Sequence, residues 1–204
     1  AEQYNNSEAQ AILGRWYYEQ QDYDQAIYYL ERSSMDEAQF VLGKIYSVLE
    51  ERAKSIYYMR LAAQNGHYNA QYSLSHIYIL MKLTSEAFRY LTLASKGNSH
   101  ASFLLFCLYT ANIFPQKGFE KSLTFLQSSI EQENHLALQI YTQLTRNNPN
   151  HSPDLNKYIK SIPSGRQSLT YFVDLINSSE NLSDDEYEDD FVNALYYWYL
   201  FTFD

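Results

Sequence analysis

EAQFVLGKIYS, Glu37 to Ser47, is the stretch on which the fold turns. Ala38, Leu42 and Tyr46 stand at offsets of zero, four and eight, so on a helix at about 100° per residue they share one face. The small alanine lets a neighbouring helix come close, and the two larger side chains fill the space beyond it. The same phrase returns as EAQAILGRWYY from Glu8, NAQYSLSHIYI from Asn69 and HASFLLFCLYT from His100. Ala9, Ala38, Ala70 and Ala101 lie 29, 32 and 31 residues apart. Leu13, Leu42, Leu74 and Leu105 follow these alanines by one helical turn, and Tyr17, Tyr46, Tyr78 and Tyr109 by two. A period of about 30 residues marks a repeat array.

Each phrase is followed by a second helical stretch: DYDQAIYYLERSS, ERAKSIYYMRLAAQNG, TSEAFRYLTLASKG and FEKSLTFLQSSIEQ. Gly14 and Gly43 follow the first two repeat leucines, and their recurrence inside a helix points to close helix contact, because glycine there costs about 1 kcal/mol. Gly66 and Gly97 stand where a helix C-cap would take a left-handed residue. A helix, a turn, a second helix and a turn make one unit, which cannot bury its apolar faces without stacked neighbours. The units run over about 8–36, 37–68, 69–100 and 101–135, with degenerate helices over 136–204, all in one repeat domain. HLALQIYTQL begins a fifth helix of the first type, and Asn147 to Asp154 read as a loop from their Asn and Pro content. A helix is expected after Ser164, and the acids of NLSDDEYEDD form a solvated segment favouring the N-terminus of the next helix rather than a calcium loop.

The composition agrees with a helical, foldable chain: 204 residues, 46% hydrophobic, with only 6 Gly and 4 Pro. The 21 Tyr suit shallow, partly wet cores and partner surfaces. A formal charge of -9 excludes broad nucleic-acid binding, which needs a basic surface. A single cysteine, Cys107, excludes an internal disulfide framework. No run reaches the roughly 18 uninterrupted apolar residues of a membrane span. The closing phrase NALYYWYLFTFD is too short to cross a bilayer and repeats the aromatic wording of the second helices, so it reads as a final helix. Its aromatic excess makes Trp198 and Phe201 a second candidate surface for a partner or for self-association. A start at Ala1 fits an exported chain from which a leader has been removed, which favours a periplasmic or secreted location over a cytoplasmic one.

The order A-x-x-x-L-G-x-x-Y, then A-x-Y-Y-x-x-x-A-A-x-x-G, resembles the Sel1-like repeat family, a relative of the tetratricopeptide repeats. The resemblance runs from about Glu8 to Tyr141 and is fullest in the second unit, where EAQFVLGKIY and YYMRLAAQNG both match. The first unit departs from it with a shorter junction lacking glycine, and the fourth lacks the glycine after Leu105. The resemblance implies an all-α fold, a right-handed α/α superhelix of helix-turn-helix repeats that presents its first helices along a concave groove. The cysteine-rich secreted branch of the family does not fit a chain with Cys107 alone.

The constellations of catalysis are missing: no H-E-x-x-H, C-x-x-C, G-x-S-x-G or phosphate-cradling glycine loop occurs. His67, His100 and His135 lie beside unit junctions and read as turn residues, so no metal, cofactor or catalytic residue is expected. Cys107 reads as a partly buried helix residue. A more informative surface lies at offsets two, six and nine from each repeat alanine, opposite Leu and Tyr. It holds Ala11, Arg15 and Tyr18, then Phe40, Lys44 and Ser47, then Tyr72, His76 and Ile79, then Phe103, Cys107 and Thr110. In an acidic protein this stripe contains no acid. Its aromatics either wedge between helices or face solvent; in the second case the stripe offers the residue types that dominate interface energetics. The function expected is therefore non-catalytic protein binding. By resemblance, the partner could be a toxic effector such as a phospholipase, neutralised by a periplasmic immunity protein. The alternatives are an adaptor or scaffold of an envelope or host-interaction assembly and, remotely, a hydrolase.

Overall fold

The structure is a computed structural model that describes residues 2–111 and 118–146, together with Tyr171, Phe172, Asp174, Leu195 and Tyr197. Among the described residues there are nine α-helices and no strand. They are α1 (Glu2–Glu19), α2 (Tyr23–Leu30), α3 (Asp36–Val48), α4 (Arg52–Gln64), α5 (Tyr68–Leu80), α6 (Thr84–Ala94), α7 (Ser99–Thr110), α8 (Gly118–Glu131) and α9 (His135–Arg146). The all-α expectation holds, with neighbouring helices packed in pairs, α1 on α2, α3 on α4 and α7 on α8. The expected loop at 147–154, the acidic run and the closing aromatic phrase, apart from Leu195 and Tyr197, lie outside the described residues. The chain divides into two compact units, Ala1–Ser75 and His76–Asp204.

The repeat tyrosine has a physical role that recurs pair by pair. Tyr17 stacks on Tyr29 at 5.5 Å, Tyr46 on Tyr58 at 5.5 Å, Tyr78 on Tyr90 at 5.4 Å, and Tyr109 on Phe125 at 5.5 Å between ring centroids. Each stack joins the first helix of a pair to the second and is worth about 0.5–1.5 kcal/mol beyond the area it buries. The hydroxyls of Tyr46 and Tyr58 both donate to Glu31 Oε1 at 3.4 Å, tying the second pair back to the end of α2. Burial, reinforced by the Glu31 charge, raises the Tyr46 phenol pKa and pushes that of Tyr58 up to about 12, so both remain donors.

The glycines after the repeat leucines sit at close helix approaches. A Cβ on Gly14 would stand 2.4 Å from Leu30 Cγ, and one on Gly43 would stand 2.9 Å from Met59 Cγ. Ser55 Oγ donates to Gly43 O at 2.9 Å across the same approach. Of the two expected left-handed glycines only Gly66 is left-handed, at φ 94. At the turns within the first three pairs, Gln21, Glu50 and Lys82 take φ 60 without being glycine. Such residues cost roughly 1–2 kcal/mol each and show that the turn geometry is imposed by the packing around it. The short first junction is held by a serine cluster: Ser33 Oγ donates to Ser7 O at 2.8 Å, and Ser34 N donates to Ser7 Oγ at 2.9 Å.

In the first unit the core gathers Ala11, Ala26, Leu30, Ala38, Val41, Leu42, Ile45 and Tyr46. In the second unit α7 is buried all round, with every residue from Ala101 to Tyr109 in the interior. Phe106, in the slot that glycine fills in the first two units, meets Phe172 edge to face at 5.7 Å. A helix apolar on every side belongs inside a fold, and SFLLFCLY shows no polar face.

Candidate functional site

The first helices of the pairs begin at equivalent positions, three residues before the repeat alanine. Asn98 Oδ1 accepts from Ala101 N at 2.7 Å, and Asn134 Oδ1 accepts from Ala137 N at 2.9 Å, as N-caps do. At the same position of α5, His67 Nδ1 accepts from Ala70 N at 3.2 Å. A neutral imidazole accepting at Nδ1 carries its proton on Nε2, which donates to Glu37 Oε2 at 2.8 Å. The ring also stacks on Phe40, with centroids 4.5 Å apart. His67 is thus a cap and a strut between α3 and α5. The corresponding positions hold Met35 before α3 and Asn98 before α7, while His100 and His135 lie in the first turns of α7 and α9.

Around this strut the first unit assembles most of the stripe expected from the sequence. Arg15 is exposed on α1, its Nη1 3.6 Å from Glu37 Oε1 and its Nε 3.9 Å from Glu19 Oε1. Tyr18 is half-buried beside it, and Lys44 Nζ of α3 lies 5.2 Å from the Tyr18 ring centroid, a cation–π distance. Phe40 and Lys44 are half-buried on α3, and Tyr72 is half-buried on α5. Exposed ion pairs such as those of Arg15 contribute little to stability, so this surface is available to a ligand at small cost. The stripe read from the sequence contained no acid; the structure brings Glu37 to its edge, where it neutralises Arg15 and holds His67. Among the described residues, Lys44 has no carboxylate within ion-pair distance.

In the second unit the stripe is corrected. Ile79 and Phe103 are both 0% exposed and have no surface to offer a partner. Phe103 sits inside the fully buried α7, 6.0 Å from Phe106, so here the wedge between helices prevails over the groove. His76 is half-buried, and burial lowers its pKa to about 4, which keeps it neutral and removes it from the basic part of the stripe. Trp198 and Phe201 lie outside the described residues.

Cys107 is buried, and burial pushes its thiol pKa well above the ordinary value, away from a reactive thiolate. Among the described residues no three His, Cys, Asp or Glu side chains gather as a metal site would need. No described helix is long and apolar enough to cross a membrane.

Two features of this surface escaped the sequence. One is Glu37, whose partner His67 lies a full unit away; the asparagine caps at the equivalent positions are the signal that marks position 67. The other is the outer face of α1. Leu13 was expected in the core with its repeat equivalents, yet it is 43% exposed, beside Ile12 at 59% and Trp16 at 53%. No family model matches the chain, and no curated protein matches it either.

Proposed function

We propose that the chain is a non-catalytic protein-binding solenoid of the Sel1-like kind, its helix pairs wound into a right-handed α/α superhelix. Its partner is held along the first helices of the first unit, with Arg15, Tyr18, Phe40, Lys44 and Tyr72 as the contact set. The observation that carries this reading is the linked row of surface side chains from three successive first helices, with Lys44 over Tyr18 and Phe40 on His67. Aromatic rings held rigidly beside a cation lose little entropy on binding, and they suit an acidic or aromatic segment of another protein.

The narrower reading is a periplasmic immunity protein that neutralises a toxic effector enzyme. It rests on the family resemblance, and an adaptor of an envelope assembly is its rival. Affinity capture from the native source, followed by mass spectrometry, yields the partner. An inhibitor forms a tight equimolar complex with one enzyme, whereas an adaptor recovers several proteins more weakly. The binding reading itself is tested by repeating the capture with Lys44→Glu, which should release the partner while the helical circular dichroism stays unchanged.

A further inference from the structure

The apolar surface of α1 is equivalent to one that the fold buries elsewhere. Ala9, Ile12, Leu13 and Trp16 occupy the register of Ala38, Val41, Leu42 and Ile45 on α3, four residues that belong to the first unit's core and are at most 3% exposed. On α7 the same register holds Ala101, Leu104, Leu105 and Leu108, each 0% exposed. On α1 all four side chains are exposed. The face is therefore chemically a helix-packing face, with Trp16 in the place that isoleucine fills inside the array.

We propose that this face docks a second copy of the chain, α1 against α1, antiparallel about a two-fold axis between Ile12 and Leu13. The residues are self-complementary in that register. Trp16 of each copy lies over the small Ala9 of the other, two turns away on the same face, and Ile12 meets Leu13. The charges agree with it as well: Glu8 faces Tyr17, Arg15 faces Gln10 and Glu19 faces Asn6, so no acid opposes an acid in a chain of net charge -9. An isologous contact of this kind closes after two copies. From their fractional exposures the four residues offer roughly 350 Å² of apolar surface per copy, which with a polar rim reaches only the lower end of specific interfaces, about 1,200 Å² in total. An interface of that size belongs to the weak class, and a Kd of about 1 μM is the strength taken for the test.

The test is the molar mass of the full chain by light scattering and sedimentation between about 0.1 and 50 μM, a range that brackets such a Kd. The mass should rise from one chain to two, and Trp16→Arg should hold it at one chain with unchanged circular dichroism. Ala9→Trp and Trp16→Ala should each weaken the dimer at least tenfold, and the double variant, which exchanges large for small in the same register, should restore it. Four results would each overturn the proposal: a single-chain mass throughout, a dimer that survives Trp16→Arg, growth beyond two copies, or a double variant weaker than either single one.

Discussion

Gly14 and Gly43 occupy the same place in successive repeats, yet alanine should act oppositely at the two. In each case removing glycine from a helix interior gains about 1 kcal/mol from propensity. At Gly14 the new methyl would lie 2.4 Å from Leu30 Cγ, 2.6 Å from Leu30 Cδ2 and 3.2 Å from the Ala26 carbonyl oxygen. Leu30 is 1% exposed, so its branched side chain can swing away only into filled core, and the Ala26 carbonyl cannot retreat without moving the helix, which puts the overpacking cost toward the upper part of the usual range of about 1–3 kcal/mol. At Gly43 all three nearest atoms belong to the Met59 side chain, at 2.9 to 3.1 Å. An unbranched thioether can change rotamer, which holds the cost to about the propensity gain. Gly14→Ala should therefore destabilise by about 1–2 kcal/mol, lowering the urea midpoint by about 0.5–1 M, and Gly43→Ala should stay within about 0.5 kcal/mol of the parent. The assay is urea unfolding followed by circular dichroism at 222 nm, a general helix wavelength, with slopes checked for constancy. Stabilisation by Gly14→Ala of about 1 kcal/mol, as propensity alone requires, would refute the close approach of α1 and α2.

Two further stability predictions concern histidines. His67→Ala should cost about 1–2 kcal/mol through the lost cap of α5, while His67→Asn should cost distinctly less, because Asn98 and Asn134 cap their helices at the same position; equal losses in urea unfolding would contradict the capping role. His76 binds its proton near pH 4 when folded and near 6.5 when unfolded, so the unfolded chain holds more protons between those values. Stability should accordingly fall as pH drops from about 6.5 to 4, with His76 contributing up to about 3 kcal/mol of the loss and His76→Leu showing a shallower slope over that interval. Identical slopes in the two proteins would show that His76 is not held neutral.

The repeat was legible because offsets of four and eight on a helix translate directly into burial: Ala38, Leu42 and Tyr46 are buried where the phrase placed them. The aromatic pair in the second helices was legible too, although its task of stacking on the repeat tyrosine emerges only when α1 meets α2 and α3 meets α4. Other features depended on distant chain. Spacing alone puts Phe103 on an outer face, whereas α7 is enclosed on all sides, in keeping with the unbroken apolar run of SFLLFCLY. Leu13 obeys the repeat rule in sequence and not in exposure, since a periodic pattern marks a face for packing without supplying its neighbour. Glu37 sat just outside the periodic positions, and its link to His67 spans a whole repeat, a distance over which local spacing carries no information.

The central claim is that the row built on Lys44, Tyr18 and Phe40 binds a partner protein, and it is tested most directly by titrating the captured native partner into the parent and into Lys44→Glu by calorimetry. Reversing the charge of one interfacial cation should raise Kd by at least about 30-fold, roughly 2 kcal/mol, with the unfolding midpoint unchanged. A Kd equal to that of the parent would contradict the claim.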